Sequence, residues 1–312
     1  MIRYLAGRLL QIAPVLFGVS LIVFLLVRLI PGDPAISILG SRATPELVAR
    51  VRDQLGLDLP MWQQYLNYLG NALHGDFGVS FFYQTDVSSL AGARIPLTLL
   101  LIGYSTLLAL VFAVPFATLA ATRRGGLVDQ AIRLVFTTAL SLPSFWLAII
   151  LSLLVGVRFR IFPIAGAGTG GLDTIWHLTL PAITIALSIA PILVRSLRSS
   201  LIEVLGSDYV VTGRAAGLRR STLLWSYLLR NSLLPLVTIL SINVGWLIGG
   251  TVIVEQIFGL PGLGSLLITS ITTRDYSIIQ VVTLILAFLV IAVNLLTDLS
   301  YAALDPRVSL QR

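Results

Sequence analysis

The chain has 312 residues, of which 56% are hydrophobic and only 11% charged, and its formal net charge at pH 7 is +7. One water-soluble core of this length cannot bury so much apolar surface, so the composition excludes an ordinary soluble domain and predicts a membrane protein. The sequence contains no cysteine and no lysine. These absences exclude disulfide bonds, cysteine catalysis, Schiff-base chemistry and a P-loop ATPase site within this chain.

Six apolar stretches are long enough to cross the hydrocarbon core of a bilayer, which takes about 20 helical residues. They are residues 9–30, 97–121, 134–157, 178–194, 233–254 and 278–301. The first stretch is too long for a signal peptide and lacks a small-residue cleavage site, so we expect it to be retained. The pattern predicts an all-α integral membrane protein with about six transmembrane helices.

The distribution of arginine predicts the orientation of these helices. With the N-terminus in the cytoplasm, 13 of the 21 arginines but only five of the 14 acidic residues fall on the inner side. Positively charged segments near the ends of spans stay in the cytoplasm, so both termini are expected there. Because membrane orientation accounts for the basic charge, no nucleic-acid partner is expected.

The first long connection, residues 31–96, is expected on the outer side and contains two amphipathic helical patterns. Thr44 and Pro45 mark the start of the first pattern, and Gly56 marks its end. The second pattern covers Met61–Leu73, with an apolar side made of Trp62, Tyr65, Leu66 and Leu69. Three alternatives remain open for this segment: a helix pair on the membrane surface, a small external cap, or a solvated connector.

The connection between the fourth and fifth spans, residues 195–230, is rich in arginine and is expected in the cytoplasm because charges are costly inside the bilayer. Within it, residues 208–218 predict a short helix that Ser207 or Asp208 caps. Gly217 is available for a left-handed stop at its end. The small residues in its second half favour close approach to a partner surface, but an ordinary interfacial helix explains the pattern equally well.

The order of several short motifs resembles the B-type permease of dipeptide and oligopeptide ABC importers, over nearly the whole chain. Residues 208–218, followed by residues 230–235, resemble the cytoplasmic EAA loop of that family. Further matching motifs are Pro31-Gly32-Asp33-Pro34, Gly75-Asp76-Phe77-Gly78, Phe258-Gly259-Leu260-Pro261-Gly262-Leu263-Gly264 and Leu304-Asp305-Pro306-Arg307. The resemblance implies a type I ABC importer permease fold with a helical external insertion after the first span.

The resemblance also implies a machine of several subunits in the bacterial inner membrane. The expected partners are a second homologous permease, two cytoplasmic ATPases that bind ATP and Mg, and an external substrate-binding protein. This chain itself is expected to hold no cofactor or metal and to have no catalytic residues. The residues that the resemblance assigns to the ATPase-coupling helix are Asp208, Tyr209, Val211, Thr212, Gly213, Arg214, Ala215, Ala216, Gly217 and Leu218.

The expected division of the chain follows from these assignments. Residues 1–30 form the N-terminal tail and first span, residues 31–96 the external insertion, and residues 97–312 a five-helix core that includes the coupling loop at about 195–230. Uncharged polar residues inside spans are candidates for the substrate path, because they are costly unless they face a cavity or another helix. The candidates are Ser141, Ser241, Asn243 and Gln280.

Two rival functions and several substrates remain open from the sequence. A secondary transporter would use membrane-embedded carboxylates for ion coupling, and a membrane enzyme would need a catalytic group inside the bilayer. Asp298 is the single acidic residue within a predicted span, which argues against both. Relatives in the resembled family carry peptides, nickel chelates, glutathione or glycosides, so the solute is not fixed.

Overall fold

The computed structural model describes the backbone of residues 2–29, 33–39, 43–54 and 56–304, and most of the side chains within these ranges. The described residues form helices and no strand, with one isolated bridge between Val79 and Asp86. The helices are α1 (Ile2–Leu29), α2 (Pro34–Leu39), α3 (Pro45–Gln54), α4 (Met61–Leu73), α5 (Val87–Thr122), α6 (Leu127–Leu140), α7 (Ser144–Leu151), α8 (Leu172–Leu205), α9 (Asp208–Ala215), α10 (Arg220–Thr222), α11 (Arg230–Ile257), α12 (Leu263–Thr273) and α13 (Tyr276–Leu304). Two π-helical turns, Ser152–Arg158 and Leu223–Leu229, continue α7 and α10.

Helix length and composition confirm the all-α membrane fold. Among the described residues, Val87–Thr122, Leu172–Leu205 and Tyr276–Leu296 are each long and apolar enough to cross a bilayer. The pair α6 and α7 makes a fourth candidate, but it bends by 105° at a short break. The total of six spans remains a prediction.

The bend shows that the predicted third span, residues 134–157, is not one straight helix. Pro143 stands before the first residue of α7 with extended backbone angles, φ −61° and ψ 142°. Proline has no N–H to donate and disfavours helical geometry in the residue before it, so the helix cannot continue through this point. The break leaves Ser141 and Leu142 outside both helices.

The chain divides into two compact units, one containing residues 1–96 and 261–291, the other residues 97–260 and 292–312. In the second unit, Ala109, Ala113 and Ala117 form a fully buried stripe along one face of α5. They belong to the same core as Leu193 and Leu197 of α8. Small residues at this spacing let helices pack closely, which matters in a membrane because dispersion contacts, rather than water exclusion, hold helices together there.

The first unit contains the two amphipathic helices predicted for residues 31–96, which we call the outer segment after its predicted location, with the predicted bounds. α3 begins after Thr44, whose hydroxyl accepts a 3.4 Å hydrogen bond from the Leu47 N–H, and Gly56 follows it with φ +61°. The residues of the predicted apolar side of α4 differ in burial. Tyr65 is buried, but Trp62 and Leu66 are exposed, and the buried position beside Tyr65 is taken by Gln64.

Gln64 is buried because its side chain closes the turn before its own helix. The Gln64 amide donates to the carbonyl oxygens of Leu57 and Leu59, at 2.9 and 2.7 Å. These bonds satisfy backbone acceptors that the turn leaves without a helical partner. A polar residue on the inner side of α4 is therefore compatible with burial.

A buried carboxylate fixes the last part of the outer segment to the start of α13 within the same unit. Asp275 accepts hydrogen bonds from the Ser80 hydroxyl at 2.6 Å and the Phe82 N–H at 3.2 Å. At the start of α5, the Ser88 hydroxyl and the Ser89 N–H donate to Asp86, which lowers the pKa of that carboxyl below its usual value. The outer segment thus ends in a hydrogen-bonded turn rather than an unstructured linker.

Candidate functional site

The predicted cytoplasmic helix is present as α9, and its end has the predicted geometry. Gly217 has φ +77°, which confirms the left-handed stop. The Leu218 N–H donates to the Gly213 carbonyl at 3.1 Å, and the Gly217 N–H to the Arg214 carbonyl at 3.0 Å. This pairing resembles a Schellman motif, which satisfies carbonyls at a helix end and requires a residue that tolerates positive φ.

The predicted cap at the start of α9 is wrong. Ser207 stands at the N-cap position with extended backbone angles, but its side chain does not bond to the first turn of the helix. The Ser207 hydroxyl donates instead to the Val204 carbonyl at 2.6 Å. The serine therefore helps to end α8 rather than to begin α9.

The faces of α9 differ in what they contact. Val210 and Gly213 are buried against the chain itself. A Cβ atom at Gly213 would lie 3.0 Å from Leu223 Cδ2 and 3.2 Å from Leu218 Cδ1, so this glycine permits close packing inside the chain. The remaining residues of the predicted coupling helix are exposed: Asp208, Tyr209, Val211, Thr212, Arg214, Ala215, Ala216, Gly217 and Leu218.

The exposed face of α9 is mostly uncharged, and the side chains at its centre are short. Val211 is 54% exposed, and Ala215 and Ala216 beside it carry no atoms beyond Cβ. Tyr209 stacks with Tyr227 at a centroid distance of 6.4 Å, which restricts the direction of its ring. The centre of this surface suits docking into a groove, because Val211, Ala215 and Ala216 offer apolar contact without bulk. The charged side chains among the exposed residues of the predicted coupling helix are Asp208 and Arg214.

A buried ion pair holds the end of α8 from which α9 continues. Arg198 donates two hydrogen bonds to the Asp129 carboxylate, Nε to Oδ1 and Nη2 to Oδ2, both at 2.7 Å. Asp129 also accepts the Gly125 N–H at 2.9 Å and is 1% exposed. The pair therefore joins the first turn of α6 to α8 two turns before α8 ends at Leu205, and planar bidentate geometry restricts rotation as well as distance.

A cavity of about 500 Å³ opens at the break between α6 and α7. Ser141 and Pro143 of the break line it together with Ser188 of α8 and Asn243 and Trp246 of α11. The structure thus brings two of the predicted substrate-path residues, Ser141 and Asn243, to one cavity within one unit. Gln280 is half-buried on α13 in the other unit and does not line it, and the side chain of Ser241 lies outside the described residues.

Three polar side chains of this cavity donate hydrogen bonds to backbone carbonyls four residues earlier in the chain. Ser141 donates to the Thr137 carbonyl at 3.3 Å, and Ser188 to the Thr184 carbonyl at 3.0 Å. The Asn243 amide nitrogen donates to the Ile239 carbonyl at 2.7 Å, so its carbonyl oxygen is the group that can accept from a solute. None of the described residues that line the cavity is charged. Their arrangement can bind uncharged hydrogen-bond donors.

No metal centre is formed in the part of the chain that the structure describes, since no three His, Asp or Glu side chains come together there. His177 lies against Asp173, with its Nδ1 3.3 Å from Oδ1. His74 Nδ1 lies 2.7 Å from the Gly70 carbonyl oxygen. Both contacts are within one helix or its end, which is typical of structural histidines.

Two protein-family models match this chain. The model described as "Binding-protein-dependent transport system inner membrane component" matches residues 113–310. The model for the N-terminal part of such membrane components matches residues 1–102. Together they match most of both compact units and include the cavity, the ion pair and α9. The chain belongs to this family.

Curated relatives extend over the full length of this family member. It is 38% identical to the oligopeptide transport system permease protein AppB of Bacillus subtilis (strain 168), over 99% of both chains. It is 36% identical to the dipeptide transport system permease protein DppB and to the glutathione transport system permease protein GsiC, both of Escherichia coli (strain K12), again over 99% of each chain. The chain is therefore a multi-pass inner-membrane transport subunit rather than an ATPase.

A solved structure of the MetNI methionine ABC transporter in an inward-facing conformation shares the fold. The match has a TM-score of 0.58 at 18% identity and covers 69% of this chain and 96% of that one. At this identity the likeness shows the fold alone. It supports the type I permease architecture and leaves the rest of this chain without a counterpart in the matched one.

Three buried carboxylates, Asp129, Asp275 and Glu255, are structural residues that the sequence does not predict. In the structure Glu255 is buried at the end of α11 and accepts a 2.7 Å hydrogen bond from the Thr98 hydroxyl. The partners lie 69, 195 and 157 residues away along the chain, so no local pattern reveals them.

Proposed function

We propose that the chain is one of two permease subunits through which an ATP-driven importer carries peptides across the bacterial inner membrane. The observation that carries this proposal is the identity of 36–38% over 99% of both chains with permeases named for oligopeptides, dipeptides and glutathione. The solutes in those three names share peptide bonds. The uncharged cavity beside Asn243, with its amide acceptor, is compatible with such solutes because peptide N–H groups are neutral donors.

The proposed partners follow from the same assignment. A second homologous permease completes the pore, and two cytoplasmic ATPases bind ATP and Mg. The exposed face of α9, within the proposed coupling loop at about 195–230, receives an ATPase. The outer segment, residues 31–96, supports the mouth at which an external binding protein delivers the peptide, and residues 97–312 form the permease core.

Reconstitution tests the function directly. Proteoliposomes that contain this chain, the second permease and both ATPases, with the loaded binding protein on its own side, should accumulate labelled peptide only when ATP is supplied to the ATPases. Nickel chelates and glycosides, offered with their own binding proteins, should not accumulate. Uptake by this chain alone in an ion gradient would instead show a secondary transporter, and chemical turnover without ATPases would show an enzyme.

Reporter fusions test the proposed orientation, in which both termini are cytoplasmic. Fusions near Gly125, Gly206 and the C-terminus should report the cytoplasm, because the arginine-rich connections belong there. Fusions near Gly168, Gly264 and Gly40, the last of which lies outside the described residues, should report the outer side. An outer location at Gly206 would contradict any contact between α9 and a cytoplasmic ATPase.

A further inference from the structure

The helix α4 has three faces of different chemistry. Tyr65 and Tyr68 form the face that packs on α1. Trp62, Leu66, Leu69 and Leu73 follow one another at helical spacing and form an apolar stripe beside that face. Gln63, Asn67 and Asn71 form an amide stripe on the third face. We call these the tyrosine face, the apolar stripe and the amide stripe.

The tyrosine face meets α1 well inside its apolar stretch. The Tyr65 hydroxyl lies 2.8 Å from the Ser20 hydroxyl oxygen and donates to the Phe17 carbonyl at 3.3 Å. The Tyr65 ring packs edge-on against Phe17 at 5.8 Å and against Phe24 at 5.3 Å. Ser20 precedes Arg28 by eight residues, which is about 12 Å along a helix axis.

This depth places α4 beside the membrane rather than above it. α1 has no charged residue between Arg8 and Arg28. Arg28 therefore marks the outer end of the part of α1 that can lie in hydrocarbon. A helix whose tyrosine reaches about 12 Å below that arginine cannot be held wholly in the water outside.

The part of the chain that the structure describes leaves most of the apolar stripe of α4 uncovered. Trp62 is 62% exposed, Leu66 56% and Leu73 86%. Along α1, the side chains of Ile22, Leu26 and Leu29 are exposed as well. The apolar surface of the predicted first span thus continues from α1 onto its neighbour in the same unit.

The two helices α4 and α3 differ in their content of charged residues. α4 contains no charged residue, whereas α3 carries Glu46, Arg50, Arg52 and Asp53 in ten residues. Arg52 also forms a 2.9 Å ion pair with Asp33, just after the end of α1. The charges of α3 suit water or lipid headgroups, and their absence from α4 suits contact with acyl chains.

We propose that α4 lies in the outer leaflet of the membrane, at its interface with water, and that lipid covers the apolar stripe. Trp62, Leu66 and Leu73 contact acyl chains, and Asn67 and Asn71 face the water and headgroups. Tryptophan at one end of such a stripe is typical of interfacial helices, because its ring is apolar and its N–H is polar. α4 thereby anchors the outer segment to the bilayer, whatever solute the complex transports.

Site-directed spin labelling tests this arrangement, and the absence of native cysteine makes single labels possible without further changes. Cysteines introduced at positions 62, 66, 67, 71 and 73 replace side chains that are exposed, so little packing is lost. In the purified transport complex in phospholipid bilayers, labels at 62, 66 and 73 should collide mainly with oxygen, which concentrates in hydrocarbon. Labels at 67 and 71 should collide mainly with a water-soluble nickel chelate.

Arg50→Cys in α3 provides the water-exposed reference, since Arg50 is exposed and lies on a charged helix. Nickel-dominated collisions at all five α4 positions would overturn the proposal in favour of an external cap. Suppressed collisions with both reagents at 62, 66 and 73 would overturn it in favour of a protein partner. Neither result would bear on peptide transport, which the reconstitution measures separately.

Fluorescence gives a second measurement that needs no cysteine. The chain has five tryptophans, one of which is Trp62. Lipids brominated in the acyl chains should quench part of the emission of the unmodified complex, and the Trp62→Phe variant should lose a measurable share of that quenching. The Trp62→Phe variant could instead keep the same share of quenching by brominated lipid and lose quenching by water-soluble acrylamide. That result would place Trp62 in water and contradict the proposal.

Discussion

Replacing Gly217 with valine should abolish ATP-dependent uptake while the protein is still inserted into the membrane at near-normal levels. Gly217 has φ +77°, and a β-branched residue pays a steric cost of about 1–2 kcal/mol in this conformation. That cost is too small to unfold the packed helices. It acts on the turn that ends α9, where the Leu218 N–H is bonded to the Gly213 carbonyl.

The location of Gly217 explains why so small a cost should have so large an effect. Apart from its two chain neighbours, no described atom lies within 4 Å of the position that a Cβ would occupy. The Cβ of valine therefore enters open space and projects from the face that we propose meets an ATPase. Uptake per ATP hydrolysed and the amount of ATPase that co-purifies with the complex are the quantities to measure.

Gly206→Val is the matched control. Gly206 has φ −88°, and a Cβ there would lie 3.6 Å from the nearest atom, the Glu203 carbonyl oxygen, so valine is neither strained nor crowded. This variant should keep most of its uptake. If complexes with Gly217→Val retained both ATPases and full transport per ATP, α9 would be an ordinary interfacial helix.

Removing the carboxylate of Asp129 should destabilise the complex more than any single change on its exposed surfaces. Asp129→Leu leaves the Arg198 guanidinium mostly buried without its partner, and it also leaves the Gly125 N–H without an acceptor. Breaking a buried pair from one side costs roughly 3–5 kcal/mol. We expect a lower unfolding temperature of the purified complex, and reduced uptake because the end of α8 supports α9.

The ion pair between Asp129 and Arg198 is tested by replacing both of its residues with apolar ones. The double variant Asp129→Leu, Arg198→Met should recover most of the lost stability, because a buried ion pair is often replaced by apolar residues at little cost. Arg133→Ala is the control, since Arg133 is 55% exposed and its Nε lies 3.7 Å from Asp129 Oδ1. Exposed pairs of this kind contribute about 0–1 kcal/mol. If the stability lost in the double variant equalled the sum of the losses in the two single variants, coupling between Asp129 and Arg198 would be contradicted.

Local chemistry explains which features could be predicted from the sequence. The bounds of α3 and α4 follow from helix-start residues, glycine and apolar spacing within about ten residues, and the left-handed turn at Gly217 follows from glycine after a short helix. The prediction that Ser207 caps α9 is wrong, although it rests on residues equally close in the chain. A serine between two helices can bond to either one, and Ser207 bonds back to the Val204 carbonyl. Short-range patterns give the position of a helix end more reliably than the hydrogen bond that closes it.

Hydropathy, arginine placement and the missing lysine predict, independently of packing, an all-α membrane protein without its own P-loop ATPase site, and the ordered motifs predict a transport subunit through the family resemblance that they carry. The tertiary structure decided which residues meet. Only the folded chain joins Asp129 to Arg198, turns Gly213 inward, breaks the third span by 105° and places Ser141 beside Asn243. These contacts depend on helices that approach from distant parts of the chain, and the free energy of each pairing is set by burial and geometry that no local pattern contains.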